Sequence, residues 1–170
     1  VGTMVAVIGL AREKVRKACI RASKEGIVQV ANYNCDSQIV IAGEIKAVDK
    51  ALEIAKELGA KRTIKLKVSA PFHTSMLKGA GDKLYSELQN IKLKEMKIPV
   101  MTNVTGTYIN DVHDIKGILK EQVMSSVLWE DIIKNMIEEG IDTFIEIGPG
   151  KALCGFVKKI NRKVKVLNVE

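Results

Sequence analysis

Aromatic side chains are scarce in this chain: one Trp, three Tyr and three Phe make up 4% of its 170 residues. A sheet that stacks nucleic-acid bases needs several of them on one surface, and within residues 1–68 only Tyr33 is a candidate. Long apolar runs are missing too, since nothing approaches the roughly 20 residues of a membrane span. No signal-peptide pattern precedes Thr3-Met4-Val5-Ala6-Val7-Ile8, which already reads as a strand. So abrupt an opening is expected of a chain from which earlier residues are missing. Cysteines number three, Cys19, Cys35 and Cys154, odd in count and too dispersed for a zinc cluster. Reduced thiols in a cytoplasmic protein are the expectation. His113, one of two histidines, sits in Asn110-Asp111-Val112-His113-Asp114 with acidic neighbours but no clustered ligands, which points to a solvated loop and no metal. A phosphate loop is also absent. Gly148-Pro149-Gly150-Lys151 lacks the required spacing, and Pro149 removes an N–H that a phosphate cradle would use, so it reads as a tight strand-to-helix turn.

What is present suits a globular chain with a sizeable core, 46% hydrophobic and 28% charged. The formal charge of +7 invites an acidic partner. The Lys and Arg residues are spread along the chain and no nucleic-acid motif accompanies them. Charge of this kind speaks to steering and not to fold.

Hydrophobic periodicity divides the chain in two. A strand at 4–10 precedes a helix at 11–24, whose Val15, Ala18, Cys19 and Ala22 share one face and which Gly26 ends. Strands at 27–33 and 38–42 form a hairpin around Asn34, Asp36 and Ser37. A helix at 44–58 turns Ile45, Val48, Leu52 and Ala55 inward, and a strand at 61–68 closes the set. This βαββαβ order is that of a ferredoxin-like unit, expected at residues 1–68. Residues 69–170 read as an α/β body. It has helices at 77–91, from Asp114 through 123, from Trp129 to the Gly140 stop, and along Leu153, Phe156, Val157 and Ile160, with strands at 99–104, 143–147 and 164–169. Strands alternating with helices argue a parallel sheet covered by helices.

Between the two halves lies Leu66-Lys67-Val68-Ser69-Ala70-Pro71-Phe72-His73-Thr74-Ser75-Met76. Pro71 stops a strand and forces Ala70 out of helical geometry, leaving His73 on a rigid turn before a helix. An imidazole held there is either a turn or capping residue or a general base, its ordinary pKa of about 6.5 lying close to the working pH.

The segment Ser69-Ala70-Pro71-Phe72-His73 resembles the histidine motif of the malonyl-CoA:acyl carrier protein transacylases of bacterial fatty-acid synthesis. Asn32 and Asn34 with Gln38-Ile39-Val40-Ile41-Ala42-Gly43, and Glu146-Ile147-Gly148-Pro149-Gly150-Lys151-Ala152-Leu153, are similar to further signatures of that family. The resemblance implies a ferredoxin-like subdomain set into an α/β-hydrolase-like acyltransferase body. It also implies ping-pong transfer of a malonyl group from coenzyme A to the phosphopantetheine thiol of acyl carrier protein. His73 would be the base for a serine in a Gly-His-Ser-x-Gly elbow. Gln122, by pattern alone an exposed helix residue, would offer its backbone carbonyl to orient that histidine. Asn32 and Asn34, by themselves turn residues bonding their own backbone, would lie near the cleft. Phe72 is the form seen in malonyl-using members, an apolar wall against branched acyl groups. No bound cofactor is implied, coenzyme A entering only as the thioester substrate, and neither nucleic acid nor membrane is a partner. Lys61, Arg62, Lys65 and Lys158 are candidate contacts for the acidic carrier protein.

One departure governs the rest: the chain has no Gly-x-Ser-x-Gly. The expectation is the C-terminal portion of such an enzyme, inactive alone and partnered by a missing N-terminal segment of the same protein. Two rival readings are an acyltransferase domain of a polyketide synthase and a non-enzymatic basic ferredoxin-like module that binds nucleic acid.

Overall fold

In the computed structural model, which describes residues 2–170, the chain opens on β1 (Gly2–Ile8), α1 (Arg12–Ala22), β2 (Val28–Cys35), β3 (Gln38–Glu44), α2 (Ile45–Glu57) and β4 (Arg62–Lys65). The four strands form one antiparallel sheet in the order β2-β3-β1-β4, the ferredoxin-like arrangement expected. Its hairpin turn is only Asp36 and Ser37, since Cys35 pairs with Gln38, and Asn34 therefore belongs to β2 and not to the turn.

Period-2 alternation gives the sheet two apolar faces. Val5, Val7, Val30, Tyr33, Ile39 and Ile41 pack against Val15, Ala18 and Cys19 of α1 and Val48, Ala51 and Ile54 of α2. Small residues, Ala47, Ala51 and Ala55, bring α2 close to the strands. The opposite face carries Met4, Ala6, Ala31, Val40 and Ala42, with Leu66 lying over them. That second face carries neither α1 nor α2, and it seats the segment after β4.

Beyond β4 come α3 (Lys78–Gln89), α4 (Ile115–Met124), α5 (Trp129–Glu138), β5 (Thr143–Ile147), α6 (Ala152–Ile160) and β6 (Lys165–Val169). β5 and β6 pair in parallel, Thr143 with Lys165 through Ile147 with Val169. One face of this pair packs Phe144 and Val166 on Ile133 and Val157. The other leaves Ile145, Leu167, Val169 and, at 83% exposed, Ile147 bare, although parallel sheets are ordinarily covered on both faces.

Several expectations need correction. Residues 99–104 form no strand; lacking a neighbouring strand, they make a single bridge, Met101 to Tyr108. The hydroxyls of Thr102 and Thr105 bond each other at 2.9 Å within this loop. β4 ends at Lys65, with a last rung from Leu66 N–H to the Met4 carbonyl. Asp114 makes no side-chain cap on α4; Asp111 instead accepts from the His113 N–H at the preceding turn.

The two halves are joined along β2. Val127 bridges Asn32 in parallel, its N–H donating to Ala31 O at 2.8 Å and its carbonyl accepting from Tyr33 N–H at 2.9 Å. The guanidinium of Arg12 lies 3.8 Å over the Tyr33 ring and pairs with Asp131 at 2.7 Å.

Candidate active site

Pro71, buried, sits on the first residue of β1: a Cβ built on Gly2 would lie 2.4 Å from its ring. From that anchor the chain makes two tight steps. Phe72 N–H bonds Ala70 O at 3.0 Å, and the hydroxyl of Thr74, 0% exposed, donates to Pro71 O at 2.7 Å. The residue between them, His73, is held at φ 61°, the one non-glycine position with positive φ among the described residues. A residue with a Cβ adopts that conformation at a cost, and such strain concentrates at functional sites.

The ring of His73 is half-buried, and its Nδ1 lies 3.0 Å from the backbone carbonyl oxygen of Gln122. A carbonyl only accepts, so Nδ1 carries the proton and Nε2 keeps its lone pair. Gln122 lies in the last turn of α4, where carbonyls have no partner within the helix, so its oxygen is available to an outside donor. α3, which starts directly after the turn through Ser75–Leu77, packs on α4 and keeps the two residues together. Lys120 of α4 bonds Asp82 of α3 at 2.8 Å, and a Cβ on Gly81 would lie 3.1 Å from Lys120 O.

Asn32 and Asn34, half-buried, lie where β2 is irregular, with register shifts between Val30 and Asn32 and between Tyr33 and Cys35. Asn32 is paired with Val40, so it shares the sheet face that carries Leu66. Phe72, 42% exposed, stands beside His73 at the surface. Lys61, Arg62 and Lys65 are exposed at the edge strand β4. Lys158 is on α6, its ammonium donating to Val164 O at 2.6 Å and so committed within the chain. Tyr33, 6% exposed, faces the helices, which removes the one aromatic that a base-stacking sheet surface would have used.

No thiol is poised to replace the serine among those whose ionisation is displaced. Burial pushes Cys19 up to about 12, and Cys154 is raised by its contact with Glu146. Glu146 itself accepts the N–H groups of Leu153 at 3.1 Å and Cys154 at 2.7 Å. Its carboxylate thus fills the N-terminus of α6, and the Gly148-Pro149-Gly150 turn has no anion seat there. Among the described residues no group of three or more His, Cys, Asp or Glu gathers to hold a metal, and no helix is long and apolar enough to cross a membrane.

Two contacts at this site were not read from the sequence. Gln29 of β2 accepts from Ser75, and the Thr74 hydroxyl closes the turn on Pro71. A polar residue on an alternating strand carries no mark of a partner 46 positions away.

The whole chain matches proteins of one kind. It is 46% identical over 169 residues to the malonyl CoA-acyl carrier protein transacylase of Bacillus subtilis, covering 99% of this chain and 53% of that protein. A solved malonyl CoA-acyl carrier protein transacylase from Clostridium perfringens is 52% identical, with a TM-score of 0.96 over 100% of this chain and 54% of that one. A second structure, a type II PKS acyl-carrier protein in complex with its malonyl-transacylase, is 35% identical with a TM-score of 0.95, over 99% of this chain and 54% of the other. The chain spans about half the length of the relatives it matches. No protein-family model matches it.

Proposed function

We propose that this chain, similar along its whole length to malonyl CoA-acyl carrier protein transacylases, supplies the general base of a malonyl transfer from coenzyme A to acyl carrier protein. The observation that carries the reading is the 3.0 Å contact of His73 Nδ1 with the Gln122 carbonyl, which leaves Nε2 as the basic atom.

His73 Nε2 takes the proton of a serine hydroxyl as its oxygen attacks the thioester carbonyl. The imidazolium then gives that proton to the departing coenzyme A thiolate. In the second half Nε2 deprotonates the phosphopantetheine thiol, which attacks the serine ester, and the serine oxygen leaves with the proton. A carbonyl partner does for the ring what a carboxylate does in a Ser-His-Asp triad, fixing tautomer and direction without a second charge.

The serine is not offered by any Gly-x-Ser-x-Gly of these 170 residues. The bare apolar face of β5 and β6 supports packing against further residues of the same enzyme, whose relatives are about twice as long. A division at residues 1–68 and 69–170 fits this reading, since the histidine turn begins at the boundary. Asn32, Asn34 and Phe72 would line the acyl pocket. Lys61, Arg62 and Lys65 would meet the acidic carrier protein, a partner that the solved complex of a similar malonyl-transacylase with its acyl-carrier protein supports. No resident cofactor is required, and a cytoplasmic setting suits free thiols.

Intact mass spectrometry after incubation with malonyl-CoA tests this. The 170-residue chain alone stays unmodified, whereas a full-length protein containing it gains one malonyl group on a serine and loses that ability on His73→Gln. An adduct on the 170-residue chain itself, or full acylation of the His73→Gln protein, refutes the assignment.

A further inference from the structure

The helix that follows the histidine turn starts without a cap of its own. Thr74 stands at the N-cap position of the Ser75–Leu77 turn that runs into α3, with extended backbone (φ −132°, ψ 161°). A threonine there ordinarily turns its hydroxyl to the exposed N–H groups of the first turn. Here the hydroxyl donates backward to Pro71 O, and the Ser75 N–H, first of the helix-start donors that have no partner within the helix, takes an acceptor from elsewhere. Gln29 provides it. Its Oε1 accepts from Ser75 N–H at 2.7 Å and from Ser75 Oγ at 2.9 Å. Gln29 is paired with Ala42 on β2, and Ala42 belongs to the face that also holds Met4, Ala6 and Leu66. The sheet therefore grips the histidine turn on both sides, Pro71 on Gly2 before it and Ser75 on Gln29 after it.

We infer that Gln29 is a positioning residue for His73: by tying Ser75 to the sheet it holds the imidazole in the strained geometry that keeps Nδ1 on the Gln122 carbonyl. The inference rests on the reading of His73 as the base. A residue fixed at φ 61° relaxes when one end of its turn is released, and the ring then leaves its acceptor. Gln29 uses only its oxygen, so a carboxylate substitutes for the amide and an isosteric hydrocarbon does not.

The test is histidine side-chain ¹H–¹⁵N NMR on the full-length protein containing this chain, with His73 identified by His73→Gln, together with amide exchange at Ser75. In the wild type the proton resides on Nδ1. In Gln29→Leu the two ring nitrogens move toward exchange-averaged shifts, and the Ser75 amide exchanges about tenfold faster, as expected for one lost hydrogen bond. Gln29→Glu restores both readouts, which a general packing defect would not allow. Ser75→Ala keeps the amide bond and gives a smaller effect. A Gln29→Leu spectrum that superposes on the wild type overturns the assignment of Gln29, whatever the tautomer. So does a Gln29→Glu protein that behaves like Gln29→Leu. A wild-type ring protonated on Nε2 instead overturns the base reading beneath it.

Discussion

Replacing His73 by glycine should leave a more stable protein than replacing it by alanine, the reverse of the usual order. Both substitutions remove the imidazole and its bond to Gln122, so that loss cancels in the comparison. What remains is the backbone at φ 61°. Holding a residue with a Cβ there costs about 1–2 kcal/mol, which glycine does not incur. Against this, glycine loosens the unfolded chain and gives back about 0.4–1 kcal/mol. The balance favours glycine by about 0.8 kcal/mol, or roughly 2–3 °C in melting temperature for a chain of this size. Urea unfolding followed by far-UV circular dichroism measures it, as a shift in midpoint at unchanged slope. Alanine equal to or more stable than glycine would show that the turn does not hold His73 in the left-handed region, and the strain argument for the site would fall with it.

Thr74→Val, isosteric at a position that is 0% exposed, leaves Pro71 O without its donor and should lower stability by about 1–3 kcal/mol; a loss under about 0.5 kcal/mol would deny the hydroxyl its role in closing the turn. Gln122→Ala keeps the backbone acceptor, so malonyl loading by the full-length protein should stay within about threefold of wild type, where each tenfold is about 1.4 kcal/mol; a hundredfold drop would mean that the amide side chain does the work. Glu146, whose carboxyl is held below its ordinary 4.5 by the N–H of Cys154, contributes stability that is present above that ordinary value and lost as pH falls through the lower folded value. Glu146→Gln should therefore reduce the melting temperature at pH 7 and reduce it progressively less as the pH is lowered below the ordinary carboxyl value, whereas a loss that is the same at every pH would exclude the carboxylate as the cap of α6. Arg62→Glu with Lys65→Glu should weaken acyl carrier protein binding, read by titration calorimetry, and steepen no other defect; unchanged affinity would remove the β4 edge from the carrier interface.

The first half of the fold was readable because its faces are pure. Val15, Ala18, Cys19 and Ala22 recur at helical spacing and are all buried, whereas on α2 Ile45, expected inward, is exposed and the register shifts of β2 left no mark in the pattern. Residues 99–104 misled, because Val100 and Met101 have strand-like character but no neighbouring strand to complete a ladder. At the site, His73 was marked by its place on the turn after Pro71 as either a turn residue or a base, whereas Gln122 was legible only through family likeness. A backbone carbonyl leaves no trace in residue type, and its acceptor role follows from where α4 ends. The left-handed conformation of His73 was not legible either, since histidine, though commoner there than most residues with a Cβ, signals such a φ far less than glycine does. Gln29 was invisible for a third reason: its partner is set by the stacking of a turn on a sheet face, which no local spacing encodes.

The placement of the histidine turn on the second face of the β2-β3-β1-β4 sheet also orders events in time. Its contacts reach back 46 residues to Gln29 and forward 49 to Gln122, so loop closure must precede them. Gln29 sits on β2 and Gln122 on α4, so the turn cannot settle before those two elements are in place. In a refolding experiment the amides of β2 should gain protection no later than the Nδ1 proton of His73. The contact of His73 with Gln122 is in this sense a reporter on the joining of the two halves: a change that displaces β2 from α4 would break it while leaving every helix and strand intact.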